Sequence, residues 1–273
     1  MSLLSFSNVL LSIFVVGTLL PTSIVAHGYI SWPAARQYKC FRDNNFWWPE
    51  TGDDIPDDAC RDAYRVVYSK YRNAGGSSGV AANAAQYMFQ QYYEYAAIAG
   101  ARYEDVEHVQ KNVVKDYLCA AGAADRAATF GDKSGMDAAL KSWRPEVLYG
   151  YRAHLPYTIE INFCPTAVHE PSYFEVWISK PQYDYADRLQ WSDLISLPLA
   201  GEAVLVANEG DDEQCAHTLI YKIPVVVPWR DDKFVIYVRW QRNDIAGEGF
   251  YNCADVVFDK QLLETAFKVN DEL

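Results

Sequence analysis

The hydrophobic pattern of this chain changes period near residue 150. Beyond that point "YTIEINFC" sets Tyr157, Ile159, Ile161 and Phe163 against Thr158, Glu160 and Asn162, the alternation of a strand with one buried face. The stretches "YFEVWISK", "TLIYKIPVVVPW", "KFVIYVRW" and "CADVVFD" carry similar β-branched and aromatic content with turn signals between them. Several short strands at this spacing predict an antiparallel β-sandwich. Residues 58–145, by contrast, read as helical and loop-rich. In "DDACRDAYRVVYSKYR" apolar residues recur at helical spacing, and "VAANAAQYMFQQYYEYAAIAG" reads as a second helix that ends on Gly100 as its C-cap. "NAGGSSG" between them is a loop. "HGYISWP" supplies an early strand, which makes the helical segment an insertion between the first strand and the rest. There is no internal repeat and no low-complexity linker, so one domain is expected.

The first 26 residues hold no charged side chain and no histidine. An apolar run from Val9 to Leu20, then Pro21, then a small residue at Ala26, reads as a signal peptide, although the usual basic start is absent. The competing reading is an uncleaved anchor, since about 20 apolar residues span a bilayer. Pro21, Thr22 and Ser23 favour cleavage, and no other stretch is long and apolar enough to span. The mature chain would then be residues 27–273, beginning on His27.

Export changes the reading of the cysteines. Six of them in a secreted chain imply three disulfides. Cys40 and Cys60 form the expected local pair, and Cys119, Cys164, Cys215 and Cys253 can pair in three ways. No CxxC pair occurs, which argues against a zinc ribbon or a redox motif. A formal net charge of -12 argues against nucleic acid or an anionic membrane as partner. A neutral polymer suits it better, and 20 Tyr with 8 Trp favour contact with sugar faces as well as a thick core.

A histidine at the cut has specific chemistry. A free α-amine, with an unperturbed pKa of about 7.7–8.0, is a nitrogen ligand once deprotonated. The amine and Nδ1 of the same imidazole can chelate one metal ion, and a second histidine would complete a flat arrangement of three nitrogens. Such planar ligation favours Cu(II). The other histidines are His108, His154, His169 and His217. His108 lies in a polar helical stretch, His154 and His217 flank strands, and His169 opens a loop ahead of a strand. No HExxH or similar spacing exists, so spacing alone does not select the partner of His27.

"HGYISWPAARQYKC" resembles the mature start of the chitin-active lytic polysaccharide monooxygenases of bacteria and viruses. "YKCFRDNNFWWPETGDDIPDDAC", "AAQYMFQQYYEYAAIAG" and "FGDKSGMD" resemble the insect-virus spindle proteins of that family, and "GEGFYNCADV" extends the likeness to about Phe258. The resemblance implies an immunoglobulin-like or fibronectin-III-like sandwich. It makes His27 the amino-terminal half of a copper brace, and His169 the second half, just ahead of a strand ending in "SKP". Phe250 matches the ring beside the axial copper position. Ala167 matches the small residue that shapes the other axial approach, and Glu94 the acid behind the ligands. Trp47 and Trp48 are candidates for the substrate face. "NDIAGEG", ahead of Phe250, departs from the polar residues that relatives carry there.

The implied activity is oxidative cleavage of crystalline chitin, at C1, using copper, an external electron donor, and dioxygen or hydrogen peroxide. The implied setting is the chitinous lining of an insect gut. A non-catalytic chitin-binding or spindle-forming protein is the alternative, with a homo-oligomer or crystalline assembly as its partner state. Hydrolysis by paired carboxylates ranks last, because no pair stands out. The terminal "KVNDEL" resembles a retrieval signal, which would keep the protein in the endoplasmic reticulum lumen rather than outside the cell.

Overall fold

The computed structural model describes residues 27–47, 50–149, 155–210 and 212–259. The leader 1–26, Trp48, His154 and the tail beyond Asp259 lie outside the described residues. In chain order the elements are β1 (Gly28–Trp32), α1 (Arg36–Arg42), α2 (Asp58–Asn73), α3 (Ser78–Gln90), β2 (Ala96–Ile98), β3 (Glu146–Leu148) and β4 (Tyr157–Pro165). They continue with β5 (Ser172–Ser179), β6 (Leu194–Leu197), β7 (Val204–Ala207), β8 (Leu219–Val227), β9 (Phe234–Arg242) and β10 (Glu248–Phe258).

One sheet runs β1-β4-β8-β7, and the other runs β2-β10-β9-β5-β6 with β3 added in parallel along the end of β10. The two form the antiparallel sandwich that the alternation predicts, of the immunoglobulin-like type that the resemblance implies. Ile159, Ile161, Phe163, Ile223 and Val225 of the first sheet pack against Phe174, Val176, Ile178, Ile236, Val238, Trp240 and Phe250 of the second.

The second sheet is buried on its other face as well. Val235 and Tyr237 of β9, Tyr251 and Cys253 of β10 and Trp177 of β5 turn away from the sandwich into a second core, shared with Ala63, Tyr64 and Val67 of α2 and Met88 and Phe89 of α3. Burial on both faces explains why "KFVIYVRW" is nearly continuous in apolar residues rather than alternating. The helical insertion is the cover of this sheet.

Local chemistry sets the helices. Asp57 caps α2 by accepting the Cys60 amide at 3.0 Å, and Ser77 caps α3 by accepting the Val80 amide at 3.3 Å. Buried alanines at 63, 81, 82 and 85 let α2 and α3 approach closely. Gly135 permits a still closer contact, since a Cβ there would stand 2.3 Å from the Ala63 carbonyl.

The sequence expectation fails at the end of α3, which stops at Gln90 and not at Gly100. Residues 91–95 give their carbonyls to distant partners: Tyr92 to the Gln37 amide side chain, Tyr93 to the Gly28 amide and Tyr95 to the Tyr251 amide. Ala96–Ile98 then pairs with β10 as strand β2. Tertiary pairing has overridden a local helix propensity. Gly100 does adopt a left-handed φ of +63°, but its amide and carbonyl face the β9–β10 turn.

The disulfides are Cys40–Cys60, Cys119–Cys253 and Cys164–Cys215. They tie α1 to α2, the helical cover to β10, and β4 to the segment before β8. No helix among the described residues is long and apolar enough to cross a membrane.

Candidate metal centre

The end of the sandwich where β1 starts and β4 finishes gathers most of the predicted residues. Gly28 pairs with Pro165, and the His27 carbonyl extends that ladder by accepting the Thr166 amide at 2.8 Å. On the other side the Gly28 amide donates to the Tyr93 carbonyl at 3.1 Å. Residue 28 has no room for a side chain, because a Cβ would meet the Phe163 ring at 2.4 Å. The "HG" dipeptide is thus held in a slot between two neighbouring segments.

The His27 imidazole points among Glu94, Tyr93 and Phe250. Its Nε2 lies 3.8 Å from Glu94 Oε1. Its ring meets Tyr93 at 5.5 Å and Phe250 edge-on at 6.1 Å between centroids. Burial holds the imidazole below its ordinary pKa; Glu94 opposes this and Lys133 adds to it. Burial thus favours the neutral imidazole, the form a metal requires. Phe250 is fully buried, opposite Ala96 of β2 and Trp240 of β9, so it offers packing and no donor.

Glu94 stands in the turn after α3, its side chain 18 % exposed, so it is not a solvated helix carboxylate. Its Oε2 accepts the Tyr87 hydroxyl at 3.0 Å. Burial, then this hydrogen bond, pushes the Tyr87 phenol up to about 12, which keeps it a donor.

From Thr166 the chain passes Ala167, partly buried, and reaches His169 just before β5. His169 Nε2 lies 3.1 Å from Asp244 Oδ2 in the β9–β10 turn. Burial pushes the Asp244 carboxyl up, but the Gly247 amide and the Arg242 guanidinium outweigh it and hold the acid ionised at lower pH than usual. Arg242 bonds Asp244 and Glu248, each at 2.7 Å. The turn is itself docked on residues 99–100, through the Ala99 and Gly100 amides to the Gly247 and Ala246 carbonyls. A Cβ on Gly247 would meet the Gly100 carbonyl oxygen at 2.1 Å.

Asp244 is a functional candidate that the motifs did not point to, although "NDIAGEG" drew attention as a departure. The other described histidines lie elsewhere: His217 accepts the Leu219 amide at 3.0 Å, and His108 faces Asn112 on a short helix. Trp47, half exposed, stacks on Phe46, and the ring series continues through Phe41, Tyr92 and Tyr93 to His27 with centroid spacings of 4.6–5.9 Å. A cavity of 590 Å³ lined by Lys180, Tyr183, Trp229 and Lys233 sits at the far end of β5, away from both histidines.

Among the described residues no group of three or more His, Cys, Asp or Glu side chains could hold a metal ion. The donor set at this end therefore fits a metal only with the residue 27 α-amine as a further ligand, which requires cleavage after Ala26. Two imidazoles and an amine suit copper.

The family model described as lytic polysaccharide mono-oxygenase, cellulose-degrading, matches residues 27–256. Spindolin of Choristoneura biennis entomopoxvirus is 40% identical over 276 residues, covering 97% of this chain and 80% of that protein. The structure of entomopoxvirus fusolin in complex with zinc, reported for virulence enhancement and crystallization into viral spindles, is 50% identical with a TM-score of 0.81, covering 85% of this chain and 76% of that chain. A lytic polysaccharide monooxygenase important for chitin utilization in Cellvibrio japonicus is 27% identical with a TM-score of 0.54, covering 85% of this chain and 100% of that chain. A family match that begins on His27 and ends within β10 includes every residue of the centre described above, and the chain belongs to the lytic polysaccharide monooxygenase family.

Proposed function

We propose that the mature protein, residues 27–273 in one domain, is a copper monooxygenase that cleaves crystalline chitin oxidatively at C1. The observation that carries the reading is the placement of His27, its backbone held between Thr166 and Tyr93 and its ring beside Glu94 and Phe250, with His169 three residues beyond Thr166. His27, through its amine and imidazole, and His169 would hold the metal. Copper, reduced by an external donor, would supply the redox chemistry that activates dioxygen or hydrogen peroxide. Zinc in the fusolin structure shows that a second divalent ion binds a relative; zinc has no redox chemistry to offer.

The chain's own residues have separable tasks. Asp244 orients the His169 ring. Phe250 and Ala167 supply no strong ligand and keep the approaches to the metal small. Glu94, with the Tyr87 hydroxyl fixed on its far oxygen, can accept or return a proton at its near oxygen, 3.8 Å from His27. Trp47 and the rings behind it offer a face to sugar rings; Trp48 is proposed as a further substrate contact from the sequence alone.

The kinship with spindolin and fusolin supports an insect-virus setting, with export through the secretory pathway or retention in the reticulum, and opening of chitinous gut lining as the role. It also supports the second reading, a non-catalytic spindle-forming protein, because fusolin crystallizes in vivo. Copper-loaded protein starting at His27 should be incubated with chitin, and in parallel with cellulose, with and without reductant. Soluble oligosaccharides with an oxidised end, formed from chitin only with reductant, are expected. Binding without soluble product would favour the second reading, and native-ended sugars would indicate hydrolysis.

A further inference from the structure

The stretch "FGDKSGMD", residues 130–137, holds a lysine with no access to solvent. Lys133 is 0% exposed, and no carboxylate among the described residues forms an ion pair with it. Its ammonium donates to the carbonyls of Gln91 at 3.3 Å and Glu94 at 2.7 Å and lies 4.4 Å from the Tyr95 ring centroid. Its backbone amide donates to Ala123 at 2.7 Å. Burying an ammonium is costly unless its protons are matched, and burial pushes this one down to about 7. A methionine of similar length would fill the same space without that cost.

What the lysine holds explains its presence. Gln91 and Glu94 are the two ends of the turn that follows α3. The Tyr93 carbonyl inside that turn anchors Gly28, and the Glu94 side chain at its end faces His27. The neighbouring residues fix the lysine in turn: Asp132 bonds Lys70 of α2 at 2.7 Å and the Ser134 amide at 3.0 Å. The hub therefore connects the helical cover to the turn beside the metal centre.

We propose that Lys133 is a positioning residue for that centre, pinning the Gln91–Glu94 turn so that Glu94 meets His27 and Tyr93 meets Gly28. It acts through Glu94 and does not touch metal or substrate. The assignment rests on the monooxygenase reading for its catalytic consequence, but its geometric part stands without metal.

The test uses Lys133→Met, which removes the donors, and Lys133→Gln, which keeps a neutral donor, each in the mature protein. In the metal-free state, amide hydrogen exchange at Gly28 and Glu94 should speed up about tenfold or more in Lys133→Met beyond any global change, with partial recovery in Lys133→Gln. In the copper-loaded state, turnover on chitin should fall about tenfold or more with little change in half-saturating chitin, as for loss of an orienting partner. In a Glu94→Gln background the same Lys133→Met change should matter less than about twofold, because its route is already cut. Unchanged local exchange, or an equal loss in both backgrounds, would overturn the proposal. If Lys133→Met does not fold, Lys133→Gln decides by the same two measurements. Wild-type protein that exchanges as expected yet oxidises nothing would sink the monooxygenase reading and leave the positioning role standing.

Discussion

The His27 carbonyl accepts the Thr166 amide at 2.8 Å, and this one bond extends the β1–β4 ladder into the loop that carries His169. Two histidines far apart in sequence are brought to one end of the sandwich by strand register. A one-residue slip of β1 would turn every side chain to its opposite face, so the buried positions of Tyr29 and Ile30 also fix where His27 emerges. The proposed metal site would therefore depend on the chain starting at His27.

That dependence makes the amino terminus the sharpest probe. One added Gly before His27 turns its amine into an amide and leaves the imidazole in place. A ligand that binds only the folded state, at about 100 times its dissociation constant, stabilises by roughly 2.7 kcal/mol. Copper should raise the melting temperature of the His27-started protein, and the Gly-extended form should lose most of that shift together with oxidative activity. The metal-free melting temperatures should agree. Equal copper-induced shifts in both forms would make the histidine at the cut an accident.

On the proposed reading, His169→Ala removes a direct ligand. Its copper affinity, followed by titration calorimetry, should fall by more than the roughly 100-fold upper cost of losing an outer partner. His217→Ala should keep its affinity, since that ring is occupied with the Leu219 amide. His154→Ala is expected to keep it as well. The disulfides and both cores should leave the metal-free variants folded. Retained affinity in His169→Ala with loss in either control would reassign the second ligand.

Much of the fold was legible because β4 is long enough to show its period, and β5, β8, β9 and β10 are long runs rich in β-branched and aromatic residues. β2, β3, β6 and β7 are three or four residues long, too short for any period to register. The end of α3 was misread because Tyr92, Tyr93 and Glu94 suit a helix locally, while their carbonyls are claimed by Gln37, Gly28 and Lys133. His27 stood out in the sequence from its place after the expected cut. His169 came only from resemblance, since no spacing links it to His27. Asp244 and Lys133 left no signal, because a contact between distant residues has no sequence period and a buried lysine reads like a surface one.

Asp244 yields a prediction of its own. Its carboxylate faces His169 Nε2 at 3.1 Å and is locked by Arg242 and the Gly247 amide. Removing such an orienting partner usually costs 10–100-fold in metal affinity. Asp244→Ala should therefore bind copper about 10–100-fold more weakly while the Gly-extension effect persists. Tighter binding in the variant would mean that the carboxylate competes with the metal for the ring.

Lys133 sets a pH dependence whose sign is unusual for a lysine. Its folded pKa of about 7 lies below the unfolded value of about 10.4. Between those two values the unfolded chain binds the extra proton, so this group makes stability rise with pH; below about 7 both states are charged and the full burial cost is felt. Groups around it are Glu94, Tyr87, Tyr95, Asp132 and, through its charge, His27, and all of them remain in Lys133→Met. In metal-free protein unfolded by denaturant, wild type should gain on Lys133→Met as pH rises from 6.5 to 9.5, by an amount on the order of 3–4 kcal/mol. At pH 6.5 the variant should be as stable as wild type or more so, even though its turn beside His27 is looser. Parallel pH curves would mean that the ammonium is not desolvated, and that the fold gives up no stability to keep it there.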